Sequence, residues 1–419
     1  MTNRRPLFML FTANAISGFA QGMSMLAIPW YFAKTQQSGM FTVAYGFITL
    51  IILVFGLYAG TLVDRFSRKG NFLAINLICG ILIFAIALSG YINHSLPNLL
   101  IISVFGITLL NYNIHYPTLY AFVHEISEPS QYQKINSWIE IVGQSTSIFS
   151  GAFAALLIEG VSKSSGKIAG FAIQFPFEIK RWEVWEICML NAVTYFIAAL
   201  LIWGIKYTQV KIVSTELGSV FKRIRSGFSY LKVHPELLVF GLFSYSVFAT
   251  LLVSIHSLLP IYVERHLQED GSVFAAADLI YALGALGAGV FVNRVFKNSN
   301  AVQSIIVLTL LATGLFMWLF LARSVLVLYI FCVLLGFSNA GIRVLRLTYF
   351  FNHIPNEIMG RVNSIFNMAN VFSRSVFIFL FSLPFFTFGN NVVWAFFIMS
   401  IFLGISSLAL IFNKNKLAP

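Results

Sequence analysis

Apolar runs of about twenty residues recur along the whole chain, separated by short polar stretches, and each is long enough to cross the hydrocarbon core of a bilayer as a helix. The pattern predicts helices near residues 7–33, 40–62, 71–92, 97–122, 134–160 and 185–207. A second set follows near 235–263, 273–296, 301–322, 325–352, 361–386 and 391–412. The expected fold class is an all-α membrane protein: twelve transmembrane helices arranged as two pseudo-symmetric six-helix bundles. The basic start, MTNRR, resembles the n-region of a signal peptide, but no small-residue cleavage site follows it. The first apolar run is therefore expected to be retained as the first span.

The longest polar connection falls midway. In residues 208–234 the apolar positions Leu217, Val220, Phe221, Ile224, Phe228 and Leu231 recur at helical spacing between Lys222, Arg223, Arg225 and Lys232. That pattern predicts an amphipathic helix at the membrane surface, joining an N-terminal bundle, 1–207, to a C-terminal bundle, 235–419. A shift of 229 residues superposes features of the two halves. Gly60, Asp64, Arg65 and Arg68 fall on Gly289, Asn293, Arg294 and Lys297; Tyr120, His124 and Glu128 fall on Tyr349, His353 and Glu357. Two clusters at one offset point to an internal repeat.

Composition adds the solvent. With 58% of 419 residues hydrophobic and 10% charged, the chain would expose large apolar patches in water, so its solvent is lipid. The three cysteines fall inside apolar runs and suggest neither a disulfide framework nor a metal site. A net charge of +12 raises the possibility of nucleic acid, but the Lys and Arg residues lie between apolar blocks rather than along one face. Nucleic acid is excluded as a partner. Most of these cations fall on one side if both termini are cytoplasmic, which is the orientation the positive-inside rule selects.

The stretch GTLVDRFSRKG, residues 60–70, resembles the loop between the second and third helices of the major facilitator superfamily: Gly, Asp-Arg, an aromatic, Gly and a basic pair. Ser67 stands where that pattern has Gly. The stretches AIPWYFAKTQQSG and GFSYLKVHPELL are similar to the branch that contains macrolide-efflux proteins and the enterobactin exporter. The resemblance implies a secondary transporter of the cell inner membrane, multi-pass, with both termini cytoplasmic. Its expected partners are a small-molecule solute, protons and the lipid bilayer, and the chain is expected to act as a monomer with no cofactor or metal. An acidic residue at a helix end beside cations can pair with a cation or helix terminus of the facing half. Asp64, Arg65, Arg68, Asn293 and Arg294 are accordingly expected to form a cytoplasmic gate, whereas anchoring by positive charge alone explains the cations but not Asp64.

Ionisable groups in a spanning helix cost at least about 2.5 to 3.5 kcal/mol, so they mark wet cavities. Asn339, Arg343 and Arg346 share one face of the tenth helix, and Asn363, Asn367, Asn370 and Arg374 one face of the eleventh. Guanidinium forks match carboxylates and phosphates. Arg343, Arg346 and Arg374 are thus the candidate anionic-solute site, with Asn367, Asn370, Gln21 and Tyr112 orienting the solute. In the first half, Asn14, Ser17, Gln21 and Ser24 line helix one. His115 and Glu140 lie at similar depth and are candidates for proton coupling, with Asp278 a further one. A static interhelical hydrogen bond is the alternative for His115 and Glu140, and a helix N-terminal charge for Asp278. Ser246, Thr250 and Ser254 in helix seven fit hydroxyls that bond the carbonyl one turn back. Gly143 and Gly151, and Gly284, Gly287 and Gly289, offer close helix approach.

The leading expectation is proton-coupled export of a small anionic or amphipathic solute, siderophore-like or drug-like. Import of an anionic nutrient or siderophore on the same fold is the alternative. A membrane enzyme built on His115, His124, Glu125 and Glu140 is disfavoured, because HEISE lacks the second His of a zinc-protease helix, and no GxxxxGK[ST] loop is present for ATP.

Overall fold

The computed structural model describes residues 4–65, 67–128, 132–160, 166–168, 171–173, 178–206, 220–297 and 299–417. Its long helices are α1 (Arg4–Lys34), α2 (Ser38–Arg65), α3 (Arg68–Asn93), α4 (Asn98–Glu125), α5 (Tyr132–Glu159) and α6 (Val184–Trp203). A short helix, α7 (Val220–Val233), precedes a seventh span over Pro235–Leu267. This span is built from α8 (Pro235–Ser244), α9 (Ser246–Val253), α10 (Leu259–Ile261) and two π-helical turns, Ser254–Leu258 and Tyr262–Leu267. Then come α11 (Gly271–Val295), α12 (Ala301–Leu321), α13 (Val325–His353), α14 (Asn356–Phe381), α15 (Pro384–Thr387), α16 (Val393–Phe412) and α17 (Lys414–Leu417). Between α5 and α6 a hairpin, β1 (Gly166–Ile168) and β2 (Phe171–Ile173), pairs antiparallel with Gly166 opposite Ile173.

Among the described residues eleven helices are long and apolar enough to cross a membrane. α1 has 31 residues, about 46 Å at 1.5 Å per residue, so length is not what separates it from the others. Asn14, Ser17, Gln21 and Ser24 lower its mean hydropathy, and all four are buried. Its polar face is turned into protein.

Helix boundaries follow local chemistry. Ser67 caps α3, its hydroxyl accepting from Gly70 N at 3.1 Å, so the departure from Gly in the loop pattern supplies an N-cap. Glu183 and Glu186 form a capping box at α6. Asp270 and Asn300 cap α11 and α12. Pro355 drives Ile354 into extended backbone (φ −117°, ψ 124°), which ends α13 and starts α14.

By its contacts the chain divides into two units: Met1–Thr35 with Ile51–Leu217, and Gln36–Leu50 with Gly218–Pro419. In the first, α1 lies against α4, α5 and α6, and α3 against α4 and α6. Leu10, Phe72, Leu119, Phe122, Ile139 and Ile202 form its apolar core. In the second, α13 lies on α11 and α12, α12 on α16, and α14 on α7 and α9. A methyl group at Gly284 would overlap the Val333 carbonyl, and one at Gly336 the Tyr281 carbonyl. α11 and α13 therefore meet backbone to backbone. Gly287 and Gly289 face open space, and Gly143 has only an ordinary contact with the Tyr116 hydroxyl. Of the expected linker, residues 208–219 lie outside the described residues. Its helix, α7, seats Gly227 against the Arg361 backbone of α14.

Candidate functional site

The arginines of α13 and α14 belong to the second unit and occupy different surroundings. Arg346 is buried, 5% exposed. One guanidinium nitrogen donates to the Ser244 carbonyl at 2.8 Å, and its Cζ lies 3.5 Å from the Tyr245 ring centroid. Tyr245 sits where α8 gives way to α9, and its hydroxyl donates to Asn363 Oδ1 on α14 at 3.0 Å. Arg346 thus ties three spanning elements together, a cation stacked on an aromatic face. Arg343, one turn away, is exposed. Asn339 donates to the Tyr281 hydroxyl of α11 at 2.9 Å.

Arg374 is half-buried on α14, its Nε buried without a hydrogen-bond partner. It lies within electrostatic range of Tyr45 and His256. Tyr45 packs edge-on to His256, with ring centroids 5.9 Å apart, and Thr42 and Ser257 share a hydrogen bond of 2.9 Å beside them. Asn370 is buried with Oδ1 unpartnered, and Asn367 is exposed. Among the described residues no carboxylate lies within ion-pair distance of Arg346 or Arg374. Asn363 and Arg374 are eleven residues apart on one helix, about 16 Å along its axis at 1.5 Å per residue. The arginines therefore line an elongated stripe rather than converge on one point. Asp278, Ser254, Tyr281 and Cys332 border a small cavity whose other lining residues, Leu251, Phe274, Phe331 and Leu335 among them, are apolar. The hydroxyls of Ser246, Thr250 and Ser254 bond carbonyls three or four residues back.

In the first unit the polar face of α1 engages α4. His115 Nε2–H donates to Asn14 Oδ1 at 2.7 Å, and Gln21 Nε2 donates to the Thr108 carbonyl at 3.2 Å. Asn191 of α6 reaches Thr108 Oγ1 at 3.5 Å. His115 also lies against Phe72, ring centroids 4.5 Å apart. Tyr112 is exposed and packs on Tyr116. The side chain of Glu140 lies outside the described residues.

The sequence matches the Major Facilitator Superfamily over residues 10–378. The chain belongs to this superfamily. It is 22% identical over 363 residues to the Staphyloferrin A transporter of Staphylococcus aureus (strain NCTC 8325 / PS 47), spanning 86% of this chain and 83% of that protein. Its fold is similar to a bacterial homologue of the human lysosomal transporter Spinster, solved inward-facing and unoccupied (TM-score 0.72, 10% identity, 99% of this chain and 97% of that one). It is also similar to the POT family transporter PepTSo (TM-score 0.72, 14% identity, 98% and 97%). The chain is a multi-pass membrane transporter of the secondary type, not an enzyme.

In this superfamily member the basic loop has local partners within the first unit. Lys69 donates to the carbonyls of Trp203 and Ile205 at 2.8 and 2.7 Å, closing the C-terminus of α6. Arg68 Nε stands 3.8 Å from Glu125 Oε2. The side chains of Asp64, Arg65 and Asn293 lie outside the described residues. Arg294 lies over the Phe291 ring, Cζ 6.0 Å from its centroid. Of the repeated cluster, His353 stacks on Tyr349 at 4.0 Å and bonds its carbonyl, while the His124 and Glu357 side chains lie outside the described residues. The neighbours of Arg374 and Arg346, namely Tyr45 and Tyr245, are the residues the sequence pattern passes over. Each is an aromatic hydroxyl inside an apolar run.

Proposed function

We propose that this transporter moves a small anionic solute of the siderophore type by proton-coupled alternating access, with export as its direction. The observation that carries the solute class is Arg374: a half-buried guanidinium with an unpartnered Nε, within electrostatic range of Tyr45 and His256 and with no carboxylate at ion-pair distance among the described residues. A guanidinium placed in this way has its charge and fork available to a carboxylate. Exposed Arg343 extends the positive stripe, and Asn367 and Asn370 offer amides on the face that bears Arg374. Arg346 is assigned a positioning role because its guanidinium already holds Ser244 and Tyr245. Gln21 and Tyr112 belong to the first unit, and of the two Tyr112 is the exposed hydroxyl. The Staphyloferrin A transporter similarity supports a siderophore-like acid.

For coupling, Asp278 is the carboxylate with the setting a proton carrier needs, a small cavity with two hydroxyls, a thiol and otherwise apolar walls. Glu140 and His115 are the other candidates. The proposed location is the cell inner membrane with both termini cytoplasmic, and the proposed gate includes Asp64.

Proteoliposomes given an imposed pH gradient of either sign test this directly. A polycarboxylate siderophore, a neutral analogue and a cationic drug would be compared for flux. The parent is expected to favour the polycarboxylate, and Arg374→Gln to weaken its binding roughly tenfold to a hundredfold, the worth of a hydrogen bond to a charged group. Equal handling of all three solutes by parent and variant would sink the anionic assignment.

A further inference from the structure

At the end of the first unit away from residue 4, the C-termini of α1 and α5 and the segment leading into α6 enclose a cavity of about 250 Å³. Its lining shares no residue with the polar stripe of α1 or with the arginines of α13 and α14. Its floor is apolar, with Ala27, Ile158 and Ile187 all buried. Its walls carry Trp30, Tyr31 and Trp182, and its rim carries Lys34 and Arg181.

The walls are fixed by polar contacts. Trp30 Nε1 donates to Glu159 Oε1 at 2.8 Å, and Lys34 Nζ to Glu159 Oε2 at 2.7 Å. The Trp182 amide donates to the Leu157 carbonyl at 2.8 Å, which lays the segment before α6 along the end of α5. Gly160 permits that approach: its φ is +75°, and a Cβ there would lie 2.8 Å from the Arg181 amide nitrogen. The chain has therefore built a shaped pocket at the ends of three long helices, and amphipathic aromatic rings with cations are the residues that mark a membrane interface.

Charge decides the occupant. Glu159 balances Lys34, and among the described residues Arg181 has no ion-pair partner, so the rim keeps a positive charge over an apolar floor. We propose that this pocket is a binding site for an anionic phospholipid, with the phosphate at Arg181 and the glycerol and first chain carbons between Trp30 and Trp182. A soluble organic phosphate shares the head-group chemistry but leaves the apolar floor uncovered, so the lipid is the better match. The volume is near the lower end of ligand pockets, about 300 Å³, and suits a head group rather than a whole lipid.

Native mass spectrometry of the full chain, titrated with dioleoylphosphatidylglycerol, the matching phosphatidylcholine or glycerol phosphate, is the test. The parent is expected to retain one phosphatidylglycerol in preference to either alternative. Arg181→Gln should weaken that retention about fivefold, the effect of one cation at an anionic surface, while Arg181→Lys keeps it. Lys416→Gln, at the other end of the chain, should leave it unchanged. Should Arg181→Gln fail to fold, Trp182→Leu provides an independent arm and is expected to lower retention of the lipid. Equal retention by parent and pocket variants, or retention of glycerol phosphate as strong as that of the lipid, would overturn the proposal.

Discussion

The two units bury polarity in opposite ways. The first joins α1 to α4 through neutral groups, Asn14 to His115 and Gln21 to the Thr108 carbonyl, and each of these contacts ends on a protein partner. The second buries cations whose Nε is unpartnered in both cases, but Arg346 is also held by a carbonyl and an aromatic ring, whereas Arg374 is only half-buried. A neutral bond between helices explains itself as packing. A half-buried guanidinium without a carboxylate at ion-pair distance among the described residues asks for an anion, and this contrast is why the proposed solute class rests on α14 rather than on α1.

The sharpest way to break the contrast is at the backbone. The second unit depends on α11 and α13 touching at Gly284 and Gly336, so Gly336→Val is expected to cost about 3 kcal/mol or more through overpacking and to prevent recovery of monodisperse protein. Gly143→Ala in the first unit, with only an ordinary contact nearby, should change the melting temperature little. Size-exclusion profiles and thermal melts of the pair settle whether the two units differ in this respect.

A middle effect is expected at Arg346. Arg346→Lys loses the stacking on Tyr245 and should lower stability by roughly 1 to 2 kcal/mol, seen as a lower melting temperature and slower turnover. Solute affinity should stay within about twofold of the parent, since a factor of two is under 0.5 kcal/mol. A large loss of affinity at unchanged melting temperature would instead move Arg346 into the solute site.

The smallest effect belongs to the first unit. Hydrogen bonds between membrane helices average roughly 0.6 kcal/mol and reach at most about 1.7, so Asn14→Leu should shift the melting temperature slightly and leave gradient-driven transport intact. Loss of coupling in Asn14→Leu would show that the His115 contact does more than pack.

Much of the fold is legible because lipid leaves a long-range imprint: among the described residues, eleven of the apolar runs are helices long and apolar enough to cross a membrane. The polar stripe of α1 and the arginine stripes are legible too, since a period of 3.6 places them on faces. What a stripe does not reveal is which neighbour it meets. Arg343, Arg346 and Arg374 look equivalent by spacing, yet Arg346 is absorbed by Tyr245 of the seventh span, and Arg374 lies within electrostatic range of His256 on that same span and of Tyr45 on α2. Ser67 reads as a lapse from the loop pattern and proves to be an N-cap, because a serine hydroxyl satisfies a backbone amide that glycine leaves open. The β1–β2 hairpin, three residues a strand, is too short for periodicity to register.

The division of α2 has a consequence for biosynthesis. Residues 36–50 are counted with the second unit, and Thr42 bonds Ser257, a residue 215 positions later. At a synthesis rate of about 5 to 20 residues per second, that partner arrives roughly 10 to 40 s after Thr42 itself. For this interval the early half of α2 must wait in the membrane with its final contacts unmade. Thr42 and Thr49 bond the carbonyls of Ser38 and Tyr45 on their own helix, at 2.9 and 2.8 Å, so these two hydroxyls are satisfied while the segment waits, whereas the Tyr45 hydroxyl donates to the Leu252 carbonyl, a later partner. The second half of this transporter thus completes a helix that the first half began.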